Sequence, residues 1–149
     1  MKLQDGPGTI CIGACREQDL VELRSLMTEL GYERKERELS TTVREIRQRG
    51  GEVFVAVKED HVIGCVCALL DLRLAAGTYG EIVSLVVTEE FRGAGVGRVL
   101  VTHAESWLGE RVGKIRVRAN TRRKEAHGFY RSLGYEESKS QKIFIKQVP

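Results

Sequence analysis

Apolar runs alternate with amphipathic stretches along the chain, and their order predicts a mixed α/β fold. Residues 9–15 form a first strand-like run, after which apolar positions recur at helical spacing until Gly31 ends the helix. A polar connection over 31–38 precedes a second, short helix, in which Thr42 and Glu45 stand in capping-box register. Residues 52–58 and 62–70 are continuous apolar runs joined by a polar turn. They predict a hairpin of strands that are buried on both faces.

The second half of the chain repeats the alternation. Residues 79–87 predict a strand, and the helix from Gly95 carries an apolar stripe that includes Leu100, Ala104 and, on the same side, His103 and Trp107. Residues 114–119 alternate charged and apolar side chains as a strand does, and 121–133 predict a helix. Tyr135 and residues 143–146 predict the last two strands.

Length and composition predict one small domain. A chain of 149 residues is long enough for one core, so we expect a flexible segment over 1–8 and a single domain over 9–149. No apolar run reaches the length of a membrane span and no signal-peptide core is present, which predicts a cytoplasmic protein without membrane contact. The net charge of +3 suits a polyanionic cofactor.

The four cysteines stand inside strand-like apolar segments, at Cys11, Cys15, Cys65 and Cys67. Cysteine in such segments behaves as a small hydrophobic residue, so we expect all four to be reduced and buried. Neither pair has the C-x-x-C spacing of a zinc knuckle, and no metal site is predicted.

A glycine-rich loop between the strand at 79–87 and the next helix is the main chemical signal. Gly93, Gly95 and Gly97 occupy alternate positions, and Arg92 and Arg98 flank them. Glycine lets an anion approach the backbone without meeting a Cβ, and the start of a helix presents unpaired N–H groups and the positive end of the helix dipole. The pattern predicts a pocket for a phosphorylated ligand.

Two common phosphate motifs do not fit this loop. A P-loop ends in Gly-Lys-Ser/Thr, whereas Gly97 is followed by Arg98 and Val99. The dinucleotide fingerprint requires glycine where Arg98 stands and an acidic residue about 20 positions later, where the chain is basic. The loop alone leaves open a glycine-rich turn without a ligand.

The pattern R-x-x-G-x-G at Arg92, Gly95 and Gly97 resembles the acetyl-CoA loop of the GNAT superfamily of N-acetyltransferases. Residues 126–135 resemble the second signature of that family, A-x-x-F-Y-x-x-x-G-F/Y, and the likeness extends over nearly the whole chain. It implies a mixed, mostly antiparallel sheet of six to seven strands, with about four helices on its two faces and two parallel central strands that splay apart.

The resemblance also implies how acetyl-CoA is bound as a cosubstrate. Backbone groups of Leu85, Val86 and Val87 would hydrogen-bond the pantetheine arm. The pyrophosphate would be held by the loop and helix start, comprising Arg92, Gly93, Ala94, Gly95, Val96, Gly97 and Arg98. Asn120 matches an asparagine that contacts the cofactor in the family, but it is equally well placed as a helix cap.

Transfer of an acetyl group to an amine requires a base for the amine and an acid for the departing thiolate. Tyr130 aligns with the tyrosine of the second signature and is the candidate acid, although an aromatic on a helical stripe is also typical of a core. Glu81 matches a strand glutamate that acts as base in some relatives; the alternative is a solvent-facing strand end. His127 is a weaker candidate, and His103 is expected in the core.

The function implied is acetyl transfer to a primary amine of a small molecule or peptide, in a ternary complex. The acceptor stays open, because Tyr32, Glu33 and Glu36 would suit a cationic amine whereas Arg34 and Arg37 would suit a carboxylate. The alternatives are a non-catalytic acyl-CoA-binding module and nucleic-acid binding. The latter rests on a basic cluster but has few aromatic residues for base stacking. The cluster comprises Lys114, Arg116, Arg118, Arg122, Arg123, Lys124 and Arg131. Self-association is compatible with the family.

Overall fold

The computed structural model describes the backbone of residues 2–4 and all of residues 8–149. Within these residues the chain forms six strands and four α-helices, which confirms the mixed α/β class. The strands are β1 (Lys2–Gln4), β2 (Thr9–Ala14), β3 (Glu52–Lys58), β4 (His61–Arg73), β5 (Gly77–Val87) and β6 (Ile115–Val117). The helices are α1 (Leu20–Leu30), α2 (Glu36–Gln48), α3 (Val96–Gly109) and α4 (Lys124–Ser132).

The six strands form one sheet in chain order. Neighbours from β1 to β5 pair antiparallel, and β5 pairs parallel with β6 through the crossover helix α3. The β3–β4 hairpin turns at Glu59 and Asp60, whose φ angles of 49° and 64° fit a two-residue hairpin loop. The helix α1 ends at Gly31, whose φ of 104° is the left-handed conformation that such an end requires.

Apolar side chains cover both faces of the sheet. On one face, leucines of α1 and α2 pack with valines and cysteines of β3, β4 and β5 in one buried cluster. On the other face lies α3, whose Leu100, Val101, Ala104 and Leu108 are fully buried. The aromatic ring of Phe54 contacts His103 at 4.6 Å and Trp107 at 6.0 Å between ring centroids. The two layers explain why residues 53–57 of β3 and 62–70 of β4 are apolar without interruption.

Three local predictions are wrong. The helix α2 begins at Glu36, so the predicted capping pair of Thr42 and Glu45 lies inside it, and the Thr42 hydroxyl instead accepts a hydrogen bond from Arg34 at 2.9 Å. The last helix begins at Lys124 instead of residue 121. Tyr135 and residues 143–146 form no strand, and Ile143, Phe144 and Ile145 are exposed. An apolar run predicts a strand only where a partner edge is available.

The chain divides into two compact units, Met1–Val117 and Arg118–Pro149. The first contains the sheet with α1, α2 and α3; the second contains α4 and the irregular C-terminal segment. A single domain over 9–149 stays a prediction. Of the segment 1–8 that was expected to be flexible, residues 2–4 pair with β2 as β1, and residues 1 and 5–7 lie outside the described residues. None of the helices in the described part of the chain is long and apolar enough to cross a membrane.

The four cysteines differ in exposure, which corrects the expectation that all are buried. Cys15, Cys65 and Cys67 are buried, and burial is the main cause that raises their pKa values to about 11, 12 and 12. Cys11 is exposed because it alternates along β2 with Ile10 and Ile12, whose side chains enter the core. All four are free thiols.

This difference predicts the reactivity of the folded protein toward a thiol reagent such as iodoacetamide. Cys11 is alkylated rapidly at pH 8, whereas the three buried thiols react only after unfolding, because they are both inaccessible and protonated. Peptide mass spectrometry after a short pulse measures the sites. Equal labelling of Cys65 and Cys11 in native buffer would contradict the packing of β4.

Candidate functional site

The strands β5 and β6 form a fork. They pair over only three positions, Gly80–Ile115, Glu81–Arg116 and Ile82–Val117. Beyond Ile82, β5 continues through residues 83–87, and no strand among the described residues pairs with it on that side. The backbone of this part of β5 therefore presents a strand edge to the opening of the fork, which can accept an extended ligand as an added strand.

A β-bulge on β5 lies where the fork opens. The pairing with β4 shifts between Cys65–Val86 and Cys67–Val83, so Ser84 and Leu85 together face a single residue of β4. Ser84 has a φ of 55°, an unusual angle for a residue other than glycine. Bulges bend a strand and disrupt its ladder locally, and this one separates the paired segment of β5 from its open edge.

The bulge corrects the predicted orientation of β5 side chains. Simple alternation places Glu81, Val83, Leu85 and Val87 on one face. In the structure, Val83 and Val86 both pack on the cluster beneath α1 and α2, since the extra residue reverses the alternation. The side chains of Val87 and Leu100 both lie beside Gly64, so Val87 is on the α3 face. Glu81 thus shares a face with Val83 but not with Val87.

The glycine-rich loop has the backbone geometry expected of an anion site. Gly93 and Gly95 have φ angles of 80° and 86°, and Gly95 is the residue that precedes α3. A Cβ on Gly93 would meet nothing within 4 Å, so the loop surface there is open. The first backbone hydrogen bond of α3 runs from Val99 N–H to the Gly95 carbonyl at 3.1 Å. The N–H groups of Val96 and Gly97 come before it and have no helical acceptor.

Arg92 connects this loop to the end of β5. Its Nε donates to the carbonyl oxygen of Val87 at 3.0 Å, although most of the side chain is exposed. The Val87 carbonyl, which is predicted to hydrogen-bond the pantetheine arm, thus already accepts one hydrogen bond. A carbonyl oxygen can accept a second. The carboxylate of Glu29, near the end of α1, accepts from the N–H of Glu89 at 3.4 Å. The end of α1 therefore lies beside the loop.

Glu81 lies at the base of the fork as a buried carboxylate. Its Oε1 accepts a hydrogen bond from Nε of Arg116 at 3.3 Å, and Nη2 of Arg116 donates to Asp71 of β4. Hydrogen bonds from Arg73 and then Arg116 hold the pKa of Asp71 below its usual value, although partial burial opposes them. A solvent-facing strand end is therefore the wrong interpretation of Glu81, since it is 8% exposed.

In the second unit, Asn120 and His127 stabilise a turn. The side-chain oxygen of Asn120 accepts from Arg122 N–H at 2.9 Å, which is an Asx turn, whereas the residue before α4 is Arg123. His127 Nε2 lies 2.8 Å from the Asn120 carbonyl oxygen. Because that oxygen can only accept, Nε2 must carry the proton. His127 thus stabilises the turn before α4 by this hydrogen bond.

Tyr130 lies in the last turn of α4, in an aromatic group of its own unit. Its ring contacts Phe129 at 5.2 Å and Tyr135 at 5.8 Å between centroids, both edge-on. Burial raises the pKa of Tyr130, and Arg123 opposes this only in part. The phenol is therefore protonated at neutral pH, which is the state that a proton donor requires.

Arg116 and the bulge at Ser84 were not identified from the sequence. Arg116 stands in a run of basic residues, which is typical of a surface cluster, but it is half-buried and paired with two carboxylates. Ser84 is the one polar residue within the apolar segment of residues 82–87, and a single polar residue there gives no sign of an extra residue in the ladder. Once the register of β5 and β6 is known, the opposition of Glu81 and Arg116 follows.

Comparison with known proteins identifies the family. The sequence profile of the acetyltransferase (GNAT) family matches residues 18–135. A protein of Chlorobaculum tepidum named as an uncharacterized N-acetyltransferase is 36% identical over 129 residues, which cover 85% of this chain and 76% of that protein.

Two solved structures share the fold. An acetyltransferase from Trypanosoma brucei has a TM-score of 0.80 at 20% identity and covers 92% of this chain and 99% of its own. An aminoglycoside N-acetyltransferase in complex with CoA has a TM-score of 0.82 at 18% identity, over 98% of this chain and 100% of its own. The profile spans both the glycine-rich loop and Tyr130. The chain belongs to the GNAT family of acetyltransferases and is an acetyl-CoA-dependent acyltransferase.

Proposed function

We propose that this acyltransferase moves the acetyl group of acetyl-CoA to a primary amine of a small molecule or peptide, by direct attack in a ternary complex. The observation that carries the proposal is the open edge of β5, which leads from Glu81 to a glycine-rich helix start. The edge offers hydrogen-bonding groups at Leu85, Val86 and Val87 for an extended amide-containing arm. The loop offers N–H groups for a diphosphate.

The loop and the start of α3 would hold the pyrophosphate through Arg92, Gly93, Ala94, Gly95, Val96, Gly97 and Arg98. The positive φ of Gly93 and Gly95 turns the backbone there, and the helix dipole favours negative charge at the same place. Asn120 would contact the cofactor through its side-chain amide nitrogen, since its oxygen accepts from Arg122.

Two side chains would carry the proton transfers. The amine nitrogen attacks the acetyl carbonyl carbon; a C–N bond forms and the C–S bond breaks. Glu81 accepts a proton from the amine, through water, while its Oε1 keeps the hydrogen bond from Nε of Arg116. Tyr130 donates its phenolic proton to the departing sulfur. The products are the N-acetylated amine and CoA with a free thiol.

Direct attack is supported by the cysteines. An acetyl-enzyme route through Cys15, Cys65 or Cys67 would need a reactive thiolate, but these thiols are buried and have pKa values raised to about 11 or 12. The exposed Cys11 stands on β2, which pairs with β1 and β3 and not with β5. Initial rates with both substrates varied should give intersecting double-reciprocal lines. Parallel lines would indicate a covalent acetyl-enzyme and contradict the ternary complex.

One of the two arginines that would suit an anionic acceptor is already paired, while Arg37 is exposed. Arg34, which could have held a carboxylate, already donates to Glu38 at 3.3 Å and to Thr42 at 2.9 Å. Glu33 and Tyr32, on the connection between α1 and α2, are exposed. A panel of an aminoglycoside, a polyamine and a lysine-containing peptide, read by loss of acetyl-CoA, tests the proposal. Turnover of none of these amines would contradict it.

Replacing Gly93 by alanine should weaken CoA binding by roughly 5- to 30-fold, because a left-handed φ costs a residue with a Cβ about 1–2 kcal/mol. The cost must come from the backbone, since the added Cβ would meet no atom within 4 Å. Calorimetric titration with CoA measures the change. Gly113→Ala is the matched control, because its Cβ also enters open space but its φ is ordinary. Equal affinities of the two variants would argue against the loop as the diphosphate site.

A further inference from the structure

Arg116 links three adjacent strands at the base of the fork. It belongs to β6, donates through Nε to Glu81 of β5 and through Nη2 to Asp71 of β4. Its guanidinium also lies 5.1 Å from the centroid of the Tyr79 ring. A guanidinium can make these contacts together because its N–H groups point in fixed, divergent directions.

The sheet register explains why these groups meet. Glu81 pairs with Arg116 on one side and with Leu69 on the other, and Asp71 pairs with Tyr79. Side chains of paired residues point to the same face, so the whole set lies on the face covered by α1 and α2. Only three residue pairs hold β6 to β5, and this contact is at the middle one.

Arg116 and Glu81 belong to a row of alternating charges on this face of the sheet. Two arginines and two carboxylates alternate along the face: Arg73 contacts Asp71 at 3.0 Å, Asp71 contacts Arg116, and Arg116 contacts Glu81. Burial lowers the pKa of Arg116, but the hydrogen bonds and charges of Asp71 and Glu81 outweigh it and raise that pKa overall. Arg116 therefore keeps its charge.

We infer that Arg116 is a positioning residue for acetyl transfer, which orients the carboxylate of Glu81 at the opening of the fork and is itself held by Asp71. The inference rests on the proposed role of Glu81 as base. Arg116 itself touches neither substrate; it fixes one oxygen of the Glu81 carboxylate, so that the carboxylate plane keeps one direction toward the acceptor. A carboxylate misplaced on the order of 1 Å can lose about 10²-fold in rate.

A double-mutant cycle of Arg116→Met and Glu81→Gln tests the inference. In the wild-type background, Arg116→Met should lower kcat by roughly 10- to 100-fold. In the Glu81→Gln background, the same substitution should lower kcat by less than about twofold, because there is no base left to orient. The dissociation constant of CoA, measured by calorimetry, should change little in all variants, since the glycine-rich loop is untouched.

Two further variants distinguish the orientation of Glu81 from a purely structural effect of Arg116. Arg116→Lys keeps the charge but not the divergent donors, and should recover only part of kcat. Arg73→Met removes an ion pair from Asp71 without touching Glu81, and should keep kcat near the wild-type value. If Arg116→Met does not fold, as judged by thermal unfolding, the cycle is run with Arg116→Lys in its place.

The outcomes separate the inference from the function on which it rests. A full rate for Glu81→Gln alone would remove the base role and the inference with it. A slow Glu81→Gln that is slowed again to the same degree by Arg116→Met would leave the base role intact. That result would overturn the inference, because Arg116 would then act by holding β6 alone.

Discussion

Replacing Tyr130 by phenylalanine lowers kcat/KM for acetyl transfer by roughly 10²- to 10³-fold, the range expected when a general acid is removed. The ring stays, so its edge-on contacts with Phe129 and Tyr135 are kept, and only the proton donor is lost. Steady-state rates measure the loss, and calorimetry with CoA should show affinity within about twofold of the wild type. Tight binding with little turnover is the signature of a lost proton donor.

Tyr135→Phe is the matched control for this result. It removes a hydroxyl from the same aromatic group but from a residue that has no assigned chemical role. Its kcat/KM should remain within about threefold of the wild type. If Tyr130→Phe and Tyr135→Phe were equally active, the departing sulfur would have another proton source and Tyr130 would be a packing residue.

The pH dependence of the wild type supplies a second readout of Tyr130. An acid must be protonated to act, so activity is lost as the pH rises through its pKa. Burial raises the pKa of Tyr130, so the loss should begin above the ordinary tyrosine value of about 10. The alkaline fall in rate should be absent from Tyr130→Phe, whose residual activity has no phenol to titrate. An unchanged alkaline fall in that variant would assign it to another group.

Replacing Glu81 by glutamine should lower kcat/KM at pH 7 by about 10²-fold or more, because glutamine cannot take a proton from the amine. The amide keeps the shape of the side chain and can still accept from Arg116. The loss should shrink as the pH rises, because the neutral fraction of an alkyl amine with a pKa near 10 grows about tenfold per pH unit. Rates between pH 6 and 10 measure this slope.

Glu110→Gln is the control for the glutamate substitution. Glu110 also pairs with an arginine, Arg111 at 3.6 Å, but it follows α3 and is largely exposed. Its removal should change kcat/KM by less than about twofold. A pH-independent loss in Glu81→Gln would indicate that the glutamate holds the fork in shape and takes no part in proton transfer.

The parts of the fold predicted from the sequence are those fixed by local chemistry. The end of α1 at Gly31, the strand over Glu52–Lys58 and the glycine-rich helix start all follow from periodicity and from residues with special backbone preferences. The parts that could not be predicted depend on partners distant in sequence. Ile143 and Phe144 have the pattern of a strand, but a strand needs a paired edge, and local sequence does not specify one.

In the candidate site too, local sequence predicts some residues and only the fold reveals others. Arg92, Gly93 and Gly95 are recognised because their spacing is short and their chemistry is local. The ion pair of Glu81 with Arg116 joins residues 35 positions apart, and only the parallel register of β5 and β6 brings them together. The bulge at Ser84 reorients the residues after it, and nothing in the alternation of β5 indicates it.

Whether the start of α3 binds the cofactor can be measured by calorimetric titration of the purified protein with CoA, combined with amide hydrogen exchange. We expect a single saturable binding event and slower exchange at Val96 and Gly97, whose N–H groups precede the first helical hydrogen bond. Saturation to about 100 times the dissociation constant should also add about 2.7 kcal/mol to the free energy of unfolding. No binding heat and unchanged exchange over residues 92–97 would contradict this expectation.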